Sequence, residues 1–416
     1  MDIETVDFSK EGERALRKIE KGTDWPVVYL LHNDDTVYIG ETCNAANRLS
    51  QHLINPDRGC MKKVEVIIDE EYNKSATLDV EQQLIQLYHS DKRFINIQNS
   101  SPGQSSAHEY YNRHMYKARV PELWAELYRR GLAGRTYGDI INSNLYKYSP
   151  YTSLNQEQLA TYSAILHDIR SSIISGEERN FLVNGASGTG KTVLALNLLR
   201  TLSELTDYEL NRLLLDPHED IDALYNLIKT VKEKIPTQKL NVVYTAPLAP
   251  LRRTLSKVIK ECKLTNVQVL SPQAIANHTG EKFDIIIVDE AHRLKRRKGL
   301  TNYSGFDDAS RLLGLDPDDA TQLDWIIRRS KYRILFYDSK QSVKPSDIEP
   351  QRFRELLGEC FNVQLHTQMR CRGGEAYLDY VDNILNNRKP ERELPGKEFE
   401  FRMFIDVQDM VNCIRS

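Results

Sequence analysis

The sequence predicts an α/β protein made of a small mixed α/β domain followed by a parallel-sheet P-loop domain. Three observations predict it. Between about Trp25 and Asn99, short β-rich runs alternate with amphipathic helical pieces. From about Tyr151 onward, apolar strands alternate with longer helical patterns, which is how parallel sheets with crossover helices read. Between one such strand and helix stands a glycine-rich loop, Gly185-Ala186-Ser187-Gly188-Thr189-Gly190-Lys191-Thr192.

Taken in order, Val27 to Leu31, Val37 to Ile39 and Val64 to Ile68 read as strands, and Ala45 to Leu53 and Ala76 to His89 as helices. These define a first domain over 1–99. Asn99 to Ser106 is polar, Pro/Gly/Ser-rich and aperiodic, so 100–150 is expected to be linker and helical bridge. The bridge carries Tyr110, Tyr111, Arg113, Lys117, Arg119, Arg129, Arg130 and Arg135; a base-stacking surface is one use, aromatics packed between two domains the favoured one. The P-loop lobe is expected over 151–361 with a helical insertion at 202–238, and 362–416 begins a second lobe.

At 416 residues the chain holds two or three domains, and 40% hydrophobic with 28% charged residues excludes wholesale disorder. No apolar run approaches the roughly 20 residues of a membrane span, and the acidic start Met1-Asp2-Ile3-Glu4 is unlike an export signal, so a cytoplasmic location is expected. Six cysteines (Cys43, Cys60, Cys262, Cys360, Cys371, Cys413) include no Cys-x-x-Cys pair and read as free thiols. Lys and Arg number 56 against 59 Asp and Glu, net -3. Any contact with a polyanion must therefore be made by local patches.

The glycine-rich loop fits G-x-x-x-x-G-K-[ST] after the apolar strand Asn180 to Asn184 and before the apolar helix Val193 to Leu202. Gly185, Ser187, Gly188, Thr189 and Gly190 cradle phosphates with backbone N–H groups, Lys191 reaches the β- and γ-phosphates, and Thr192 ligates Mg²⁺. The buried run Phe283 to Val288 ends in Asp289-Glu290-Ala291-His292, with Asp289 assigned to the metal and Glu290 to the attacking water.

With these residues the chain resembles superfamily 1 helicases, in particular the helicase-like ATPases related to Schlafen proteins, over about Leu154 to Ser416. The resemblance implies a RecA-like lobe that binds ATP with Mg²⁺ and acts on nucleic acid. It makes Gln158 the adenine contact, Val242 to Pro247 with Thr245 a nucleic-acid contact, Gln341 a γ-phosphate sensor and Arg370 an arginine finger in cis. The roughly fifty residues after Arg370 are too few for a second lobe of ordinary size, so that lobe is expected to be incomplete. Arg293, Lys295, Arg296, Arg297 and Lys298 form a basic run that reads equally as a solvated loop or a polymer track.

Over about Val27 to Asn99 the chain also resembles GIY-YIG endonucleases, through Val27-Val28-Tyr29, Tyr38-Ile39-Gly40, Arg48 and His52 at i, i+4, then Glu81 and Asn96. The first triplet departs from the name but keeps its tyrosine. The resemblance implies that Tyr29 is the general base or its relay with Tyr38 beside it. Arg48 pins the phosphate, His52 assists proton movement, and Glu81 is the protein carboxylate on Mg²⁺ or Mn²⁺. Together the two resemblances imply an ATP-regulated endonuclease, with DNA favoured as substrate, and analogy with similar fusions suggests bacterial anti-phage defence. The alternatives are an ATP-dependent nucleic-acid-binding switch, a DNA repair helicase whose nuclease fold mainly binds, or an autonomous nuclease whose ATPase half scaffolds oligomers; oligomerisation is open in each.

Overall fold

Five strands form the N-terminal sheet: β1 (Asp2–Asp7), β2 (Val27–His32), β3 (Thr36–Thr42), β4 (Lys63–Ile68) and β5 (Asn96–Ile97), in the order β1-β4-β2-β3-β5. The computed structural model describes residues 1–99, 110–205, 221–264, 266–339, 341, 344–367, 374–389, 402 and 404–415. β3 and β5 are parallel and the other neighbours antiparallel. The β2–β3 hairpin turns at Asn33, whose side-chain oxygen accepts from the N–H groups of Asp35 and Thr36 at 2.8 and 2.7 Å and so stands in for a backbone turn. β1 is not among the expected strands. Its polar, half-exposed residues give a weak signal, and its partner β4 lies far along the chain.

Helices cover both faces of this sheet. Leu16 of α1 (Lys10–Leu16) and Ala45, Ala46 and Leu49 of α2 (Ala45–Leu53) pack with Tyr29, Leu31 and Tyr38. On the other face, α3 (Lys74–Asp91) packs with Val28, Leu30, Val37 and Ile39. Asn44 and Asn73 cap α2 and α3 by accepting N–H groups of their first turns. The outer side of α3 is covered by α4 (Arg113–Arg129), α5 (Tyr137–Asn142) and α6 (Asn144–Lys147). Tyr116, Val120, Leu123, Trp124 and Leu127 form a stripe at helical spacing inside that core, and Trp124 meets Tyr88 edge-on at 4.9 Å. The tyrosine-rich stretch therefore packs its aromatics mainly against the first domain's own core, while Tyr111 and Tyr128 stay exposed.

The second sheet is wholly parallel, in the order β11-β6-β10-β9-β7-β8. Its strands are β6 (Arg179–Gly185), β7 (Val242–Thr245), β8 (Val267–Val269), β9 (Phe283–Val288), β10 (Ser330–Tyr337) and β11 (Phe361–Leu365). Every residue of β9 is buried, as expected for a strand with both faces covered. α7 (Gln156–Ser175) and α8 (Lys191–Ser203) pack on one face; the helix Ile221–Lys234, the described part of the expected insertion, lies against α7. β11 joins this sheet beside β6, so the expected break at 361/362 falls inside a strand. Among the described residues no helix is long and apolar enough to cross a membrane.

Candidate active sites

β6 ends at Gly185 and the chain turns into α8 through the phosphate-loop sequence. Gly188 (φ +88°) and Gly190 (φ +77°) take the left-handed conformation the turn needs, and a Cβ on Gly185 would lie 2.5 Å from Thr189 Oγ1. Ser187 is exposed at the loop's crest. Lys191, the first residue of α8, donates through Nζ to the carbonyls of Gly185 and Ala186 at 2.7 and 2.9 Å and lies 3.5 Å from Asp338. A phosphate in the loop would take those hydrogen bonds over.

Thr192 follows, and its hydroxyl donates to Asp289 Oδ2 at 2.8 Å. Asp289 stands at the carboxyl end of β9, fully buried. Burial, and then the charge of adjacent Glu290, raises its pKa above the ordinary carboxylate value, against the hydrogen bonds from Thr192 and Tyr244. The Thr192 hydroxyl and Asp289 carboxylate are hard oxygen donors already in contact, a set that fits Mg²⁺. Glu290 adopts φ +54°, rare for a side-chain-bearing residue. His292 lies 3.1 Å from its carboxylate and is the main cause of a lowered Glu290 pKa.

Gln158 is fully buried: its Oε1 accepts from Asn155 N–H at 3.0 Å, and its Nε2 donates to Thr189 O at 3.1 Å, so it braces the phosphate loop. Its neighbour Glu157 accepts from the N–H groups of His366 and Thr367 at 2.8 and 2.9 Å, just past β11. Gln341 donates to Asp338 Oδ2 at 2.8 Å, the carboxylate beside Lys191. Arg370 lies outside the described residues.

One expected nucleic-acid contact is placed differently, and the basic run that read equally as loop or track is largely paired. Thr245 is fully buried at the end of β7 and offers a polymer nothing. Instead, Tyr244 of the same run donates to Asp289 Oδ2 at 2.8 Å, a role that strand periodicity does not reveal. In the basic run, Arg297 pairs with Asp307 and Asp318, Arg296 with Glu349 and Arg293 with Asp347. Three of its cations are thus committed inside the lobe.

In the N-terminal domain, β2 sets Tyr29 directly opposite Gly40 of β3. A Cβ at Gly40 would sit 2.3 Å from Tyr29 Oη, so the glycine makes room for the ring. Tyr29 Oη lies 2.8 Å from His52 Nε2 and accepts from Arg48 Nε at 3.2 Å, both side chains coming from α2. Tyr38 is 5.3 Å from the His52 ring, and Arg58 stacks on Tyr38 at 3.8 Å. Burial works against the Arg48 cation, but Tyr29 and then Tyr38 more than offset it and raise its pKa.

Glu81 is buried on α3, in the layer opposite the one that holds α2. Among the described residues no group of three His, Cys, Asp or Glu side chains is placed to hold a metal. A divalent ion on Glu81 would draw its other ligands from water and substrate phosphate. Asn96 is exposed, whereas Asn99 is buried and clamps Ile39, its Oδ1 accepting from Ile39 N–H at 2.9 Å and its Nδ2 donating to Ile39 O at 2.7 Å. Asn99 begins the polar run that reads as a linker, which conceals it.

The family described as Schlafen group 3, DNA/RNA helicase domain, matches residues 178–416. A structure of two coordinating Pif1 helicases on forked double-stranded DNA matches with 13% identity and a TM-score of 0.24, covering 58% of this chain and 50% of that one. The chain thus spans half the length of that helicase. Domain III of the Thermotoga maritima replication initiation protein DnaA matches with 12% identity and a TM-score of 0.22 over 58% of this chain and 79% of that one. C. elegans PCH-2 matches with 14% identity and a TM-score of 0.20 over 54% and 46%. No curated protein matches the chain.

Proposed function

This chain belongs to the Schlafen group 3 DNA/RNA helicase-domain family, and on that premise we propose that it is an ATP-regulated endonuclease that cleaves nucleic acid, with DNA as its first substrate. The observation that carries the nuclease half is the convergence on Tyr29 Oη of His52 at 2.8 Å and Arg48 at 3.2 Å. Tyr29 gives its hydroxyl proton to His52 as its oxygen takes one from the attacking water, and Arg48 stabilises the negative charge that develops on that oxygen. His52 passes the proton it receives on to solvent. Arg48, half-buried at the same point, holds the scissile phosphate, and Tyr38 with Arg58 packed on it keeps the His52 ring in place. Glu81 would hold a divalent ion, which would supply positive charge to the leaving oxygen.

In the ATPase half, the loop from Gly185 to Thr192 binds the phosphates, and Thr192 with Asp289 would hold Mg²⁺. Glu290, kept anionic by His292, orients water, Gln341, hydrogen-bonded to Asp338 beside Lys191, senses the γ-phosphate, and Arg370 is assigned as arginine finger on the resemblance alone. Gln158 acts here through the loop it braces. The units we assign are the nuclease at 1–99 with the helices of 110–147 packed on it, the P-loop lobe from 151 through β11, and the start of a second lobe beyond. The biological role we favour is anti-phage defence, since a nuclease beside its own genome needs a gate.

The test is cleavage of supercoiled plasmid with Mg²⁺ or Mn²⁺, with and without ATP. Wild type should cut, Tyr29→Phe should not, and Lys191→Ala should cut without responding to ATP. Undiminished cutting by Tyr29→Phe would overturn the nuclease assignment. A second reading, a nucleic-acid-binding switch without cleavage, draws on the burial of Glu81 in the layer opposite α2; it predicts ATP-dependent retention of DNA by an uncut complex.

A further inference from the structure

Several polar side chains of the phosphate-loop helix α8 are buried without a part in the ATPase chemistry, among them Asn197 and Arg200, which are 4% and 6% exposed. Burying such groups is costly unless each has a defined partner. Both reach the same short segment: Asn197 Nδ2 donates to Thr152 O at 3.0 Å, and the Arg200 guanidinium lies 5.1 Å from the centre of the Tyr151 ring. From the other side, α3 grips the same two residues. The His89 ring stacks on Tyr151 at 3.5 Å with the planes 5° apart, and Gln86 Nε2 donates to Thr152 Oγ1 at 3.1 Å.

We propose that Tyr151 and Thr152 form a clamp through which nucleotide at Lys191 controls the Glu81 helix; the inference rests on the endonuclease reading and names the route of its regulation. At about 1.5 Å per residue the clamp grips α8 about 9 and 14 Å from Lys191, and α3 about 8 and 12 Å from Glu81. Two rigid helices thus meet at one joint. The element on which nucleotide acts is the loop: Lys191 Nζ donates to the carbonyls of Gly185 and Ala186, and a bound phosphate would compete for the same ammonium and so bias the first turn of α8. Outside the joint, Lys263 donates to Ile95 O at 3.2 Å and Lys92 pairs with Glu261 at 3.1 Å. Those exposed contacts keep the halves docked while the joint transmits.

The experiment uses the full chain and follows amide hydrogen exchange in 74–91 with and without Mg²⁺–ATPγS, in wild type, Tyr151→Leu and Thr152→Val. ATP hydrolysis and plasmid cleavage are measured alongside. We expect nucleotide to change α3 exchange by at least about twofold in wild type and to lose that effect in both variants, with ATP hydrolysis kept within about twofold. Nucleotide-insensitive exchange in wild type, or an intact response in Thr152→Val, overturns the clamp. If wild type does not cut DNA but its exchange response is present and is lost in the variants, the clamp stands and the endonuclease reading falls. Should Tyr151→Leu fail to hydrolyse ATP, Thr152→Val decides, because it removes one hydroxyl acceptor and leaves the carbonyl that Asn197 uses.

Discussion

The Thr192 hydroxyl donates to Asp289 Oδ2 across 2.8 Å, joining the first turn of α8 to the carboxyl end of β9. That contact follows from the order of strands in the parallel sheet, and on our proposal it brings together the two oxygen donors for a nucleotide's metal. Thr192→Ala and Asp289→Asn are each expected to lower ATP hydrolysis by about 100-fold or more. Phosphate release measures this, with fluorescent-nucleotide binding to show that the loop still forms.

The raised pKa of Asp289 gives the ATPase a pH signature. With Asp289 as the proposed Mg²⁺ ligand, protons compete with the metal for this carboxylate, and burial followed by the Glu290 charge extends the competition to higher pH than at an exposed aspartate. The Mg²⁺ concentration for half-maximal hydrolysis should therefore rise as pH falls from about 7 towards 5. In metal-free protein the sign is opposite for folding. A carboxyl whose folded pKa exceeds its unfolded value near 3.9 favours the folded state as pH drops between the two. Mg²⁺ titrations at fixed ATP and thermal melts in chelator check both signs.

Gly40→Ala tests the N-terminal site without touching a polar group. The new Cβ would meet Tyr29 Oη at 2.3 Å, so the ring must move off His52 and Arg48. We expect about 1–3 kcal/mol of destabilisation and loss of plasmid cutting, with ATP hydrolysis preserved. Denaturant unfolding and cleavage assays on one preparation separate the effects.

Glu157 is a positioning residue, holding the N–H groups of His366 and Thr367 while its neighbour Gln158 holds the phosphate loop. Glu157→Ala should lower kcat for ATP about tenfold by loosening His366 and Thr367 just past β11, and leave KM within about twofold. A purely structural role would instead move the melting temperature with kcat preserved in the folded fraction, and Glu157→Gln should restore part of the rate.

The phosphate loop and β9 are legible because their chemistry is contiguous: glycines, lysine and threonine adjoin, and a wholly apolar run ends in two carboxylates. Tyr29, Arg48 and His52 are readable as a set through the strand pair and the i, i+4 spacing on α2. What stayed hidden depends on pairing across the chain. β1 exists because β4 offers it an edge, and Tyr244 finds Asp289 only once β7 lies beside β9. Asn99 reaches Ile39 over sixty positions, and the partners of Arg296 and Arg297 come from separate segments. Composition and local period carry none of those distances.

β11 has a mechanical consequence. It lies parallel to β6, registered from Phe361 against Phe181 to Leu365 against Gly185, at the threshold of the phosphate loop. Tension on the chain beyond Leu365 would pull β11 along its own axis, so the ladder between the two strands would be loaded in shear, with its hydrogen bonds resisting together. Any tug on the segment that follows would arrive first at Gly185, making the nucleotide cradle the stiff end of a tether.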